Sequence, residues 1–113
     1  MGINNDVALI PSLEDWQAPA LQNGWVNTTT NYSPAGFYKD PFNIVHIRGI
    51  VSAGTTSLIF TLPLNYRPPT YRYLFNTVAN SAIARIDIYT NGQVHLVAGS
   101  NVGLALDGIL FRV

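Results

Sequence analysis

The stretch Ala82-Ile83-Ala84-Arg85-Ile86-Asp87-Ile88-Tyr89-Thr90-Asn91-Gly92-Gln93-Val94-His95-Leu96-Val97-Ala98 decides the fold. Two runs of alternating apolar and polar residues flank the turn signal Asn91-Gly92, the pattern of a β-hairpin. A two-residue loop would pair Ile88 with His95 and mix apolar with polar side chains on both faces. A three-residue loop, Thr90-Asn91-Gly92 with Gly92 left-handed in a bulge, pairs Ile88 with Val94 and Asp87 with His95 instead. Only that register sorts the faces. Ala84, Ile86, Ile88, Val94, Leu96 and Ala98 then point inward, and Arg85, Asp87, Tyr89, Gln93 and His95 point outward.

Working outward from the hairpin, no window carries a 3.6-residue apolar period, while β-branched and aromatic runs separated by Gly, Pro and Asn recur along the chain. This predicts an all-β chain, an antiparallel β-sandwich. The expected strands are 16–21, 24–28, 36–39, 44–52, 57–62, 70–78, 82–89, 93–98 and 108–113. Pro63, Pro68 and Pro69 cannot donate to a ladder, so they place a connection between the Leu58-Phe60-Leu62 and Tyr71-Tyr73-Phe75 alternations. Pro19 marks the first strand as an edge or a bulge. Along 44–52, Val45, Ile47 and Val51 form one face and Ile44, His46, Arg48 and Ile50 the other. Both are partly apolar, as expected where one looks into the sandwich and the other toward a neighbouring subunit.

Composition supports the same picture. The 113 residues make one domain, and 11% are charged beside 48% hydrophobic, against about 25% charged in an ordinary soluble domain. So few charges cannot cover the surface of a monomer this small, which predicts burial of apolar side chains against another subunit. A net charge of +0 without a Lys/Arg cluster argues against nucleic acid as a partner. The chain has Cys 0, which removes disulfides and thiolate chemistry. The N-terminal stretch lacks the basic start and apolar run of a signal peptide, and the uncharged run Gly49 to Tyr66 is too interrupted to insert in a membrane. Residues 1–14 read as a lead from a longer parent fibre, and residues 15–113 as the sandwich.

Catalytic chemistry finds little footing. Glu14 and Asp15 are adjacent, so on a strand they face opposite ways and read as a solvated start to the domain. Asp87 and His95 supply two members of a triad, yet no Ser or Thr sits in a nucleophile-elbow context, and a cross-strand surface ion pair is the simpler reading. His46 and His95 lack a specified carboxylate for metal binding. No cofactor is expected. Aromatic side chains are the stronger lead, with Trp 2, Tyr 6 and Phe 5 in the chain. Flat rings stack on the apolar faces of sugars while neighbouring polar groups bond the hydroxyls. Trp16 and Trp25 read as core or subunit contacts. Tyr66, Tyr71, Tyr73 and Phe75 read as one strand face beside Arg67 and Arg72, serving packing before binding. The outward set Arg85, Asp87, Tyr89, Gln93 and His95 is the candidate saccharide-binding patch. Asn27-Thr28-Thr29 and Asn31-Tyr32-Ser33 match the glycosylation acceptor pattern, but 27–33 is expected to be an exposed loop.

The order Trp16-Gln17-Ala18-Pro19-Ala20-Leu21-Gln22-Asn23-Gly24-Trp25, Gly36-Phe37-Tyr38-Lys39-Asp40, Val45-His46-Ile47-Arg48-Gly49, Leu62-Pro63, Arg67-Pro68-Pro69, Asn91-Gly92 and Leu106-Asp107-Gly108-Ile109-Leu110-Phe111 resembles the C-terminal head domains of phage tail and receptor-binding proteins. Related patterns end some bacterial collagen-like surface proteins. The resemblance implies a jelly-roll-like sandwich assembling as a homotrimer on the distal tail fibre or baseplate of a virion. The implied role is host attachment through a cell-surface saccharide, with no reaction catalysed. The alternative it leaves is a structural trimeric head that caps a fibre without touching a receptor.

Overall fold

The protein is described by a computed structural model over residues 13–113. All regular structure among these residues is extended: β1 (Val26–Asn27), β2 (Gly36–Lys39), β3 (Ile44–Arg48), β4 (Ile50–Ser52), β5 (Leu58–Thr61), β6 (Tyr73–Ala79), β7 (Ala82–Ile88), β8 (Gln93–Ala98), β9 (Leu104–Ala105) and β10 (Ile109–Arg112). Every pairing is antiparallel, and the sheets form the sandwich that the alternation predicts.

One layer is a three-stranded sheet broken across its middle. β3 lies between β2 and β10, and β4 continues the same run between β1 and β9. The break falls at Gly49, whose φ of +119° belongs to glycine and whose missing side chain makes room for Ala35, since a Cβ there would lie 2.5 Å from the Ala35 Cα. The predicted continuous strand 44–52 is therefore two. The freed backbone is satisfied locally, with Gly49 N–H donating to Asp107 Oδ1 at 2.7 Å and Leu106 N–H to Gly49 O at 2.7 Å.

The second layer is a four-stranded sheet in the order β5-β8-β7-β6. Strands β6, β7 and β8 form a meander, and β5 returns beside β8, a Greek-key arrangement. The β6–β7 turn, Asn80-Ser81, places both residues left-handed (φ 49° and 64°), the conformation of a two-residue primed turn. Between the layers lie Phe37, Val45, Ile47 and Val51 from the broken sheet and Phe60, Leu62, Ile86, Ile88 and Val94 from the other, closed by Leu104, Leu106, Ile109 and Phe111. Burying each of these larger side chains stabilises the fold by about 1.5–3 kcal/mol. Tyr73 and Phe75 cover the edge with their rings 5.6 Å and 6.4 Å from Phe111.

Several expectations are corrected. Residues 16–21 do not form a strand; they touch the sheet through one bridge, Gln17 to Phe37, because Pro19 cannot extend a ladder. Tyr66 lies in the β5–β6 connection and Tyr71 precedes β6, so the four-ring face is reduced to Tyr73 and Phe75. β9 carries no alternation long enough to be read. Asn27 belongs to β1, and its Oδ1 accepts the Ala35 N–H at 2.8 Å, which removes it from the expected loop. A second irregularity near Val97 sets Ala98 opposite Arg85, turning Ala98 outward and exposed rather than inward. Trp25 is core, with its indole N–H donating to Thr56 O at 3.0 Å, whereas Trp16 is 39% exposed. Most of the expected 1–14 lead lies outside the described residues.

Candidate functional site

The three-residue hairpin loop is present. Tyr89 N–H donates to Gln93 O and Gly92 N–H to Tyr89 O, both at 2.9 Å, with Gly92 at φ +89°. The register pairs Asp87 with His95 and Ile88 with Val94. One residue in two along β7 and β8 therefore faces away from the core. Arg85, Asp87, Tyr89, Gln93 and His95 share the outer face of the four-stranded sheet, beside Leu58 of β5 and Leu74 of β6.

Facing outward does not make Asp87 exposed. Its carboxylate is 1% accessible, capped by Arg85, whose Nε donates to Oδ1 at 2.9 Å and Nη2 to Oδ2 at 3.0 Å, with Arg72 Nη1 3.8 Å from Oδ2. This bidentate contact raises the Arg85 pKa and replaces the expected Asp87–His95 surface pair. His95 bonds instead to Gln93 Oε1 through Nε2 at 3.0 Å and to Ser57 Oγ through Nδ1 at 2.9 Å. Burial pushes the His95 pKa down, partly offset by the Asp87 charge.

Tyr89 sits between two partners. Arg72, on the β6 side, lies 4.5 Å over its ring, and His95, on the β8 side, stacks at 4.7 Å and 29°. With neighbours on both sides, the ring offers its edge and hydroxyl rather than an open face. What remains for a ligand is a rim of hydrogen-bonding groups beside the apolar Leu74, which is half exposed. Past Ser57 the face runs into a cleft of about 340 Å³ bordered by Thr56, Ser57, Val97, Ala98 and Asn101. Trp25 floors it, and Gly54 is indispensable there, since a Cβ would fall 1.8 Å from the indole. The periodicity gave no signal for this cleft, because Thr56, Ser57 and Asn101, which border it beside the end of β8, come from turns.

The outer face of the broken sheet carries a second ladder. Arg48 lies 4.2 Å over Trp16, Trp16 meets Tyr38 edge-on at 4.6 Å, Tyr38 stacks on His46 at 4.8 Å, and His46 Nε2 reaches Asp40 Oδ2 at 2.8 Å. Asp40 Oδ1 also accepts the Phe42 and Ile44 N–H groups, and its pKa is lowered, first by His46. Glu14 is tethered rather than freely solvated. It accepts both Tyr66 hydroxyl contacts at 2.9 Å and the Lys39 N–H at 3.1 Å, the latter being the main cause of its lowered pKa. His46 and His95 thus face away from each other on opposite sheets and do not converge on a metal.

No family model matches the chain, and no curated protein matches it. Among solved structures, the receptor binding protein (gp15) of Listeria phage PSA shares its fold, with a TM-score of 0.73 over 96% of this chain and 69% of that chain, at 24% sequence identity.

Proposed function

We propose that this domain is a receptor-binding head of a phage tail, attaching the virion to a host cell-surface saccharide without catalysing a reaction. The observation that carries the reading is a polar, aromatic outer sheet face on a sandwich whose fold matches a phage receptor binding protein. Arg85, Tyr89, Gln93 and His95 are the ligand-facing groups of this reading, and Asp87 holds Arg85 from beneath. Because the flanks of the Tyr89 ring are occupied, the sugar is bonded by the polar rim and rests against Leu74.

The head works as a homotrimer in this reading. Support comes from exposed Tyr32, Val78, Ile83 and Val102 in a chain with few charges to solvate them. Weak single sites then add through linked copies. Tyr89→Ala is expected to weaken binding to host wall glycan by about 1–3 kcal/mol, because it removes the plate that aligns Arg72 and His95. Glycan-array binding by the parent and the variant measures it, and light scattering checks that both keep the trimer mass. A parent protein that binds no glycan and no host cell favours the structural-head alternative.

A further inference from the structure

On the side of the molecule where β2 ends, Lys39 and Arg67 border one cleft of about 410 Å³ with Asn43 and Asn65. Lys39 is the sole lysine of the chain, and the two cations reach the cleft from segments 28 residues apart in sequence, 39 and 67. Each is oriented by a neutral carbonyl. Lys39 Nζ donates to Asn65 O at 2.9 Å, and Arg67 Nε donates to Leu62 O at 2.9 Å. Carbonyl tethers fix a cation's position without cancelling its charge, unlike the carboxylate that holds Arg72 and Arg85 on the other face. Among the described residues, no carboxylate lies within 4.0 Å of Lys39 or Arg67. Glu14, the acid whose charge couples to Lys39, is already taken up by Tyr66, Gln17 and the Lys39 N–H.

Two asparagines complete the cleft. Asn43 (φ 63°) and Asn65 (φ 77°) are both left-handed and exposed, a conformation that asparagine tolerates and that turns these loops sharply around the opening. Val113 closes the far side, its N–H bonded to Asn43 O at 2.9 Å. An ammonium and a guanidinium make the recess positively charged, and the exposed Asn43 and Asn65 border it. Two cations in a chain of zero net charge do not track a polyanion such as nucleic acid, but they match a single oxyanion.

We propose that this cleft binds one oxyanion, a phosphodiester or a carboxylate, carried by the receptor saccharide. The proposal rests on the saccharide-attachment reading for its source of ligand and adds an anionic subsite remote from the Tyr89 face. Its test is an NMR titration of the isotope-labelled domain with dimethyl phosphate, the free-acid glycoside methyl galactosiduronate and uncharged methyl galactoside. Saturable shifts of the Asn43, Asn65 and Arg67 signals are expected with an anion and not with the uncharged sugar; whichever anion acts identifies the group. Lys39→Gln should weaken that binding about tenfold. Asn65→Asp, which keeps the left-handed backbone and adds a negative charge, should abolish it in a folded protein. The absence of saturable shifts with both anions overturns the proposal, as do shifts that survive both substitutions. Attachment of the parent domain to host cells tests the saccharide reading separately, so failure of either is recognised on its own.

Discussion

The outer faces of the two sheets are built from the same kinds of side chain and assembled in different ways. On the four-stranded sheet, Arg72, Tyr89 and His95 stack beside an Arg85–Asp87 pair, and most of these groups come from one hairpin. On the broken sheet, Arg48, Trp16, Tyr38, His46 and Asp40 form the stack, and its tryptophan is delivered by a segment with one backbone bridge to the sheet. The carboxylates differ most. Asp87 lies buried under its arginine, whereas Asp40 sits at the end of its ladder, with part of its bonding supplied by its own turn. A local hairpin can sink a charge beneath its own cation. A ladder that depends on a distant segment keeps its charge at the rim.

The comparison breaks most severely at Gly92. A side chain there must adopt φ +89° and would place its Cβ 2.4 Å from Leu62 O and 2.7 Å from Arg67 Nε. Gly92→Val is expected to cost about 3 kcal/mol or more by urea denaturation, from left-handed strain and backbone overlap together. The Tyr89–His95 stack should be lost while the Trp16 ladder persists. An unchanged midpoint would show that the bulge does not hold the hairpin face in place.

That hairpin was legible in the sequence because its register follows from residues that are neighbours in the chain. Burial of Asp87 was not, since an outward-facing strand position reads as exposed and the fold of the Arg85 side chain over the carboxylate, with Arg72 approaching from the segment before β6, is not written in the alternation. Of the ladder on the broken sheet, the alternation places only His46 and Arg48 on one face; their partners escape it. Trp16 reads as core or subunit contact, and the structure holds it at the surface against Arg48 and Tyr38, whose proximity to it follows from tertiary packing alone. Gly49 illustrates the same limit. The run Ile44 to Ser52 looks like one strand until Ala35 presses against its middle.

A smaller effect sharpens the contrast between the two carboxylates. Asp87→Asn removes the charge under Arg85 at a site 1% accessible and is expected to cost about 2 kcal/mol. Asp40→Asn should cost less, because the Asp40–His46 contact is partly solvated and an amide oxygen can still accept the Phe42 and Ile44 N–H groups. Denaturation midpoints of the two variants side by side measure the difference, and equal losses would remove the distinction between buried and rim placement.

The smallest expected effect is in pH. His95 has a lowered pKa, so the folded state resists its protonation; stability is full above the ordinary imidazole value of about 6.5 and falls as pH drops through the depressed one. Glu14 and Asp40 are lowered too, so their contributions are full above the ordinary carboxylate value of about 4 and are lost only as pH falls through the depressed values. On acidification the hairpin face should weaken first and the Trp16 side later. Following His95 and Trp16 ring signals by NMR from neutral to acid pH tests the order, and a Trp16 change that precedes His95 protonation reverses it.

The broken sheet also sets the timetable of folding. Val45 pairs with Phe111, and Val51 with Leu104, so its central run cannot gain its second neighbour until the last strands have been made. The meander of β6 to β8 needs only short loops and can close before the broken sheet is complete. Until residues 104–112 arrive, one edge of β3 and β4 stays unpaired and apolar, which is the condition under which β chains join the wrong neighbour. For a domain proposed to gather in threes, the interval between those two closures is when neighbouring folding copies are most exposed to mispairing.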